Sequence, residues 1–133
     1  MKCQYCNKEA EWVENKEVYG KNYGKSYMIW LCHPCDAYVG CHENSQKPKG
    51  TLANAELRKW RIKAHEAFDP IWRKSKGGKY KKFNNQKRRI KAYGWLAREL
   101  KSVAFHIGES DIEACKKIIE FCLKRRSLKS INQ

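Results

Sequence analysis

Two pairs of cysteines stand out by their spacing. Two residues separate Cys3 from Cys6, and two separate Cys32 from Cys35. This spacing lets one tight turn aim both sulfur atoms at a common point. The 25 residues between the pairs suffice for a β-hairpin that returns the second pair beside the first. Four thiolates arranged in this way suit one zinc ion, and a site closed by four cysteines is structural rather than catalytic.

Three other cysteines and one histidine are further candidates for metal ligands. Cys41 and His42 follow Cys35 by six and seven positions. Either residue could replace a ligand or help to form a second site, although four better-spaced ligands already exist. Cys115 and Cys122 are seven residues apart on an apolar helical face, which predicts buried thiols rather than ligands.

Two His/Asp pairs offer a different chemistry. His65 and Asp69 are four residues apart, and His106 and Asp111 lie on either side of Gly108. Such pairs could bind a metal or transfer protons in a nuclease-like enzyme. The structural alternative is that Asp69 and Asp111 serve helix ends. Because no nucleophile, base and orienting group can be identified from sequence alone, we assign no catalytic residue.

The charge of the chain is concentrated in its middle. The formal charge is +15, from 29 Lys and Arg against 14 Asp and Glu. Residues 1–43 carry −1, residues 44–101 carry +14 and residues 102–133 carry +2. Clustered basic charge is typical of nucleic-acid binding, and the alternative is a solubilising surface. We therefore expect DNA or RNA to be the partner, bound mainly through phosphates and without an evident base-specific code.

The candidate contacts lie in two places, a basic stretch over 58–91 and a Tyr/Lys-rich turn over 19–27. Aromatic side chains among lysines can stack bases while the charges meet phosphates; the alternative is that the tyrosines pack on the protein. The predicted nucleic-acid-binding residues are Arg58, Arg61, Arg73, Lys74, Lys76, Lys79, Lys81, Lys82, Lys87, Arg88, Arg89, Lys91, Lys21, Lys25 and Tyr23.

Short strands and turns are predicted for the N-terminal third. Residues 9–19 and 27–32 suit strands, 37–39 could form a third, and the glycines between the first two indicate a hairpin tip. Residues 43–50 are polar and are predicted to be a linker. We place the zinc ribbon at 1–45 and a basic helical region at 46–133.

About three helices are predicted after the ribbon, which makes the fold class α+β. The first begins at a Thr51 cap and ends or kinks at Pro70. A flexible loop follows, and a second helix begins near Gln86. Ser110 and Glu113 fit a capping box for the third, which ends near the basic cluster 124–126.

The cysteine count and the hydropathy pattern indicate a cellular setting. Seven cysteines without an export signal favour a reducing cytoplasm over a disulfide scaffold. No apolar stretch approaches the length of a bilayer span, so no membrane partner is expected.

The sequence also resembles a phage and prophage family of zinc-finger-containing domains of unknown function. The motifs that carry the resemblance span most of the chain: Cys3-x-x-Cys6, Tyr19-Gly20, Tyr23-Gly24, Cys32-x-x-Cys35-Asp36-Ala37-Tyr38-Val39-Gly40-Cys41-His42, Gly50-Thr51-Leu52-Ala53, Leu57-Arg58, Arg61, Ala64-His65, Phe68-Asp69-Pro70-Ile71-Trp72, Tyr93-x-Trp95-Leu96-Ala97 and His106-Ile107-Gly108. The chain departs from the family pattern at the last motif, where Phe105 replaces a Cys and Glu109-Ser110-Asp111 replaces Phe-Asp.

The resemblance implies a zinc ribbon in a bacteriophage or prophage setting and supplies no activity. Nucleic acid stays the leading partner by analogy with other ribbons. The alternative is an adaptor or inhibitor whose basic face docks on a host nucleic-acid-processing protein.

Overall fold

The predicted α+β fold is confirmed in the computed structural model, which describes residues 1–73, 81–101 and 106–131. The elements in chain order are β1 (Glu11–Glu14), α1 (Lys16–Tyr19), β2 (Met28–Cys32), β3 (Ala37–Gly40), α2 (Ala55–Trp72), α3 (Lys81–Leu100), a 3-10 turn (Ile107–Glu109) and α4 (Ile112–Ile131). The chain divides into two compact units, Met1–Arg58 and Lys59–Gln133, with the boundary inside α2.

The three strands form one antiparallel sheet in the order β1-β2-β3. Trp30 at the centre of β2 lies opposite Trp12 on one side and Val39 on the other. Ile29 and Leu31 alternate with Trp30 and are buried, as a half-covered sheet requires. β2 ends at a cysteine, so the sheet delivers the second cysteine pair to a fixed place.

The connection between β1 and β2 differs from the predicted one. A strand over 9–19 is wrong in its second half, because the strand ends at Glu14 and a single helical turn follows. Asn15 accounts for the change. Its buried side chain accepts a hydrogen bond from the backbone N–H of Tyr23 (3.0 Å) and donates one to the carbonyl of Tyr23 (2.9 Å). This pair of bonds holds the loop as a compact turn.

Residues 43–54 are attached to the sheet rather than forming a free linker. Pro48 pairs with Cys41, and Ala53 exchanges two backbone hydrogen bonds with Tyr38 at 3.1 Å. The compact unit that contains the sheet therefore extends through these residues to Arg58.

The cap of α2 is Asn54, not Thr51. The Asn54 side chain accepts from the N–H of Leu57 at 3.0 Å, as an N-cap does. The helix then continues two residues past Pro70, which lies in its last turn. A proline there removes only one late hydrogen bond.

α2 and α3 contribute apolar faces to the core of the second unit. Phe68 is fully buried, and its ring lies 4.5 Å from that of Tyr93, centroid to centroid. Leu96 and Ile107 are buried in the same unit. α3 begins at Lys81, five residues before the predicted start at Gln86. Its later turns bury Ala92 and Leu96, and helices in proteins owe most of their stability to such packing rather than to propensity.

α4 is longer and capped differently than predicted. Asp111, rather than Ser110, accepts from the backbone N–H of Ala114 at 2.8 Å, while the Ser110 hydroxyl donates to the carbonyl of His106. The helix continues past the basic cluster 124–126 to Ile131. None of the helices in the described ranges is both long and apolar enough to cross a bilayer.

Candidate metal centre and basic surface

The four predicted ligands lie together, which confirms a site that could hold one zinc ion. The sulfur atoms of Cys3, Cys6, Cys32 and Cys35 all lie within 4.8 Å of one another. The Cys6 and Cys32 sulfurs are 3.6 Å apart. Four sulfurs each about 2.3 Å from one zinc are separated by about 3.8 Å at tetrahedral geometry. The donor set therefore fits zinc in both chemistry and size.

Each cysteine pair sits in a turn completed by a residue with positive φ. Asn7 follows Cys6 with φ 63°, and Asp36 follows Cys35 with φ 49°. Asn and Asp tolerate this left-handed conformation better than other non-glycine residues. The N–H of Asn7 donates to the carbonyl of Cys3 at 2.8 Å, so the reversal brings the second sulfur back to the first. Sequence reasoning missed both residues, although Asn and Asp directly after the pairs were the available signal.

The thiols influence one another's ionisation. A hydrogen bond from the backbone N–H of Lys8 lowers the pKa of Cys6. Burial, followed by the neighbouring thiols of Cys6 and Cys32, raises the pKa of Cys35 to about 12. Several thiolates so close together repel one another unless a cation lies among them. A bound Zn²⁺ would supply that charge, and the four side chains would hold it.

The cluster is built into the core of the first unit. Cys3 and Cys32 are buried together with Ala10, Ala37 and Leu52. The zinc would therefore cross-link the first turn, β2 and the segment after it. Because four protein ligands leave no open position, its contribution there is to stability.

The remaining cysteines lie outside the metal cluster. Cys41 is buried just after β3, and His42 is exposed. Within the described ranges, only the four cysteines form a group of three or more possible ligands. Cys115 and Cys122 are fully buried in α4, as predicted for core thiols. Burial raises the pKa of Cys122 to about 11, so this thiol is protonated at neutral pH.

Two of the predicted phosphate-binding arginines are occupied within their own units. Arg58 donates to the carbonyls of Asp36 (2.6 Å) and Ala53 (2.8 Å) and to the carboxylate of Asp36 (3.0 Å), and it lies over the ring of Tyr38. Arg61 donates twice to the carbonyl of Ser110, at 3.0 and 3.1 Å. Both guanidinium groups therefore hold the protein's own backbone.

The cations of α3 are differently placed. Arg88, Arg89 and Lys91 are exposed. Within the described part of the chain, no carboxylate forms an ion pair with any of the three. Lys87 is also exposed on this helix, and Arg73 lies near Asp69, with 4.0 Å between nitrogen and oxygen. The predicted contacts Lys74, Lys76 and Lys79 lie outside the described residues, as do the side chains of Lys81 and Lys82.

The Tyr/Lys-rich turn presents half-exposed rings. Tyr19 and Tyr23 meet edge to face with 5.7 Å between centroids, and Tyr19 also contacts Tyr38. The ammonium of Lys21 lies 5.2 Å from the centroid of the Tyr23 ring. Tyr23 therefore packs against Tyr19 and still exposes about half of its surface to solvent.

The His/Asp pairs do not assemble into one site. The Nδ1 of His65 lies 3.5 Å from a carboxylate oxygen of Asp69, which also accepts from the indole N–H of Trp72 at 3.1 Å. His106 packs against the ring of Tyr93, and Asp111 caps α4. These four residues of the described chain form no shared group of metal ligands.

Comparison with known proteins places the chain in a family. A family model described as a zinc-finger-containing domain matches residues 1–125, so the chain belongs to that family. No match was found among curated proteins or among solved structures. The family assignment and the four-cysteine geometry agree on zinc binding.

Proposed function

We propose that this member of the zinc-finger-containing family binds DNA or RNA, mainly through phosphate contacts made by its second unit. The observation that carries the proposal is the separation of charge between the units. Residues 59–133 contain 21 Lys and Arg against 7 Asp and Glu, net +14, whereas residues 1–58 contain 8 against 7, net +1. A compact unit with this excess attracts polyanions strongly.

The charge is also available at the surface. The exposed cations of the second unit include Arg88, Arg89, Lys91, Lys117, Lys124 and Arg126. Within the described ranges these six form no ion pair with a carboxylate. Their charges therefore stay free to meet phosphates, in contrast to those of Arg58 and Arg61, whose donors are used internally.

The turn containing Lys21, Tyr23 and Lys25 is a second, smaller contact in this proposal. Its ring and ammonium groups match a base and a phosphate, respectively. The zinc cluster contributes indirectly, because it fixes β2 and the first unit in one conformation. The proposal gives the zinc cluster no direct contact with the bases.

The test is a salt titration of binding to labelled DNA and RNA, single- and double-stranded, followed by fluorescence anisotropy. For about four or more phosphate contacts, affinity should fall about a hundredfold between about 50 and 200 mM salt. Absence of binding at about 50 mM salt, or binding that salt leaves unchanged, would contradict the proposal.

One observation favours a second function, docking on a host nucleic-acid-processing protein as adaptor or inhibitor. The first unit exposes several large aromatic side chains, which are enriched in protein interfaces: Tyr5, Trp12, Tyr19, Tyr23 and Tyr27. Pull-down from a nuclease-treated host lysate tests this function. A partner whose capture is lost on Trp12→Ala supports it, and an empty pull-down rejects it.

We also propose a phage or prophage origin, on the strength of the sequence motifs. The test is the gene neighbourhood: genes for capsid, integrase or phage replication proteins next to this one support the origin. A neighbourhood of housekeeping genes in every genome that carries the protein would reject it.

A further inference from the structure

One cleft of the second unit combines aromatic and cationic side chains without a carboxylate. It has a volume of about 330 Å³ and lies where the end of α2, the middle of α3 and the later part of α4 meet. We call it the tryptophan cleft. The described residues that line it are Ile71, Trp72, Arg88, Lys91, Ala92, Trp95 and Arg125. At this size it suits a small planar group rather than a large ligand.

The floor of the cleft is apolar and fixed in place. Trp72 is 7% exposed, and its indole N–H is bound to the carboxylate of Asp69. Trp95 is half-buried on α3, one helical turn beyond Lys91 and two beyond Arg88. Residues spaced by three, four and seven share one helix face, so α3 presents ring and charges to the same side.

The rim carries the charge. Arg88 and Lys91 are exposed, and the guanidinium of Arg125 lies 4.8 Å from the centroid of the Trp95 ring. A guanidinium stacked on an indole extends the flat surface on which another ring can lie. No carboxylate within the described ranges pairs with these three cations.

A second cleft in the same unit differs in the charges of the side chains that line it. That cleft has a similar volume, about 340 Å³, and its lining sets Glu109, Asp111 and Glu113 against a single lysine, Lys117. Three carboxylates at its edge would repel a polyanion. Of these two clefts, the tryptophan cleft is therefore the one suited to an anion with an aromatic group.

We propose that the tryptophan cleft receives an unpaired nucleotide, so that the protein prefers single-stranded to double-stranded nucleic acid. The base would lie against the Trp95 and Arg125 surface, and the flanking phosphates would meet Arg88 and Lys91. A duplex keeps its base faces stacked inside and offers only edges and phosphates. This inference rests on the proposed function and adds the substrate class to it.

The test compares single strands of oligo-dT and oligo-U with a duplex of equal length, about 16 nucleotides, at about 100 mM salt. We expect the wild-type protein to bind the single strands at least tenfold more tightly, about what one stacked base contributes. Trp95→Leu keeps an apolar side chain and should lower single-strand affinity about tenfold while duplex affinity stays unchanged.

Arg125 and its neighbour Arg126 provide a matched pair, because each substitution to alanine removes one exposed cation from α4 and only Arg125 lines the cleft. Arg125→Ala should reduce single-strand affinity several-fold more than Arg126→Ala does. This pair keeps the test valid if Trp95→Leu does not fold, which circular dichroism will show. Photocrosslinking of a 5-iodouridine strand should place the adduct on a peptide containing Trp95.

The outcomes separate this inference from the proposed function. Absence of binding to any nucleic acid at low salt overturns both. Equal affinity for single strand and duplex, or equal losses from the two arginine variants, overturns the inference alone. Displacement of the strand by polyglutamate as readily as by unlabelled oligo-dT would also overturn it, since a peptide polyanion has no base to insert.

Discussion

Asn7 and Asp36 show how single residues make the metal site possible. Each follows the second cysteine of a pair and adopts positive φ, which reverses the chain directly after the ligand. Asp36 also contacts Arg58, because its carboxylate and its carbonyl both accept hydrogen bonds from the Arg58 guanidinium. Asn7 is exposed and makes no such contact, so substitutions there test the backbone requirement in isolation.

Asn7→Val should destabilise the zinc-bound protein by about 1–2 kcal/mol, because a β-branched side chain clashes at φ 63°. Asn7→Gly should leave stability nearly unchanged. Denaturant unfolding of both zinc-loaded variants measures the difference. Equal stability of the valine and glycine variants would show that the left-handed conformation is not needed at this position.

Substitutions of Cys35 and Cys41 test which cysteines bind zinc and which are only buried in the core. We expect about one zinc per chain in the wild-type protein, loss of that zinc in Cys35→Ser, and retention in Cys41→Ser, since Cys41 lies outside the cluster. Cys41→Ser should still cost about 1 kcal/mol, because it places a hydroxyl in a buried site. Metal analysis of dialysed protein checks the ligand set. Zinc loss from Cys41→Ser would instead assign Cys41 to the site.

At the scale of elements, sequence patterns predicted the existence of strands and helices better than their ends. Thr51 and Asn54 are both good caps, and the contacts of residues 52–54 with the rest of the first unit select Asn54. Ser110 and Asp111 compete in the same way at α4. Propensity alone could not settle these ends, because each depends on contacts with residues remote in sequence.

The end of α2 makes a testable electrostatic prediction. Burial opposes ionisation of Asp69, but the hydrogen bonds from His65 and Trp72 and the charge of Arg73 outweigh it, so its pKa is lowered. A carboxylate with a lowered pKa stabilises the fold above its unfolded pKa, about 3.9, and that stability is lost as the pH falls through the folded pKa.

Asp69→Asn should therefore cost about 1 kcal/mol at neutral pH. The difference from wild type should disappear as the pH falls below about 4. Thermal unfolding across pH measures it, with the exposed Glu66→Gln as control. A difference that persists at low pH would mean that packing, rather than charge, explains the effect.

At the scale of the whole molecule, the cysteine spacing predicted the metal cluster and the charge count predicted where the basic excess lies. The sequence could not show which cations are free. Arg58 and Arg61 appeared equivalent to Arg88, yet only folding reveals that their donors bind backbone carbonyls. Arg125 belongs to the basic cluster near which the third helix was predicted to end, and it reaches Trp95 because α3 and α4 pack together.

The most direct test of the central claim compares two triple variants with the same loss of charge. Arg88, Arg89 and Lys91 on α3 are changed to alanine in one, and Lys8, Lys47 and Lys49 in the first unit are changed in the other; all six are exposed. The slope of log affinity against log salt is then measured with single-stranded DNA. We predict that the α3 variant loses about 2 from the slope, about 0.7 per phosphate contact, and that the first-unit variant keeps the wild-type slope. Equal slopes for the two variants would contradict the claim that the second unit binds the nucleic acid.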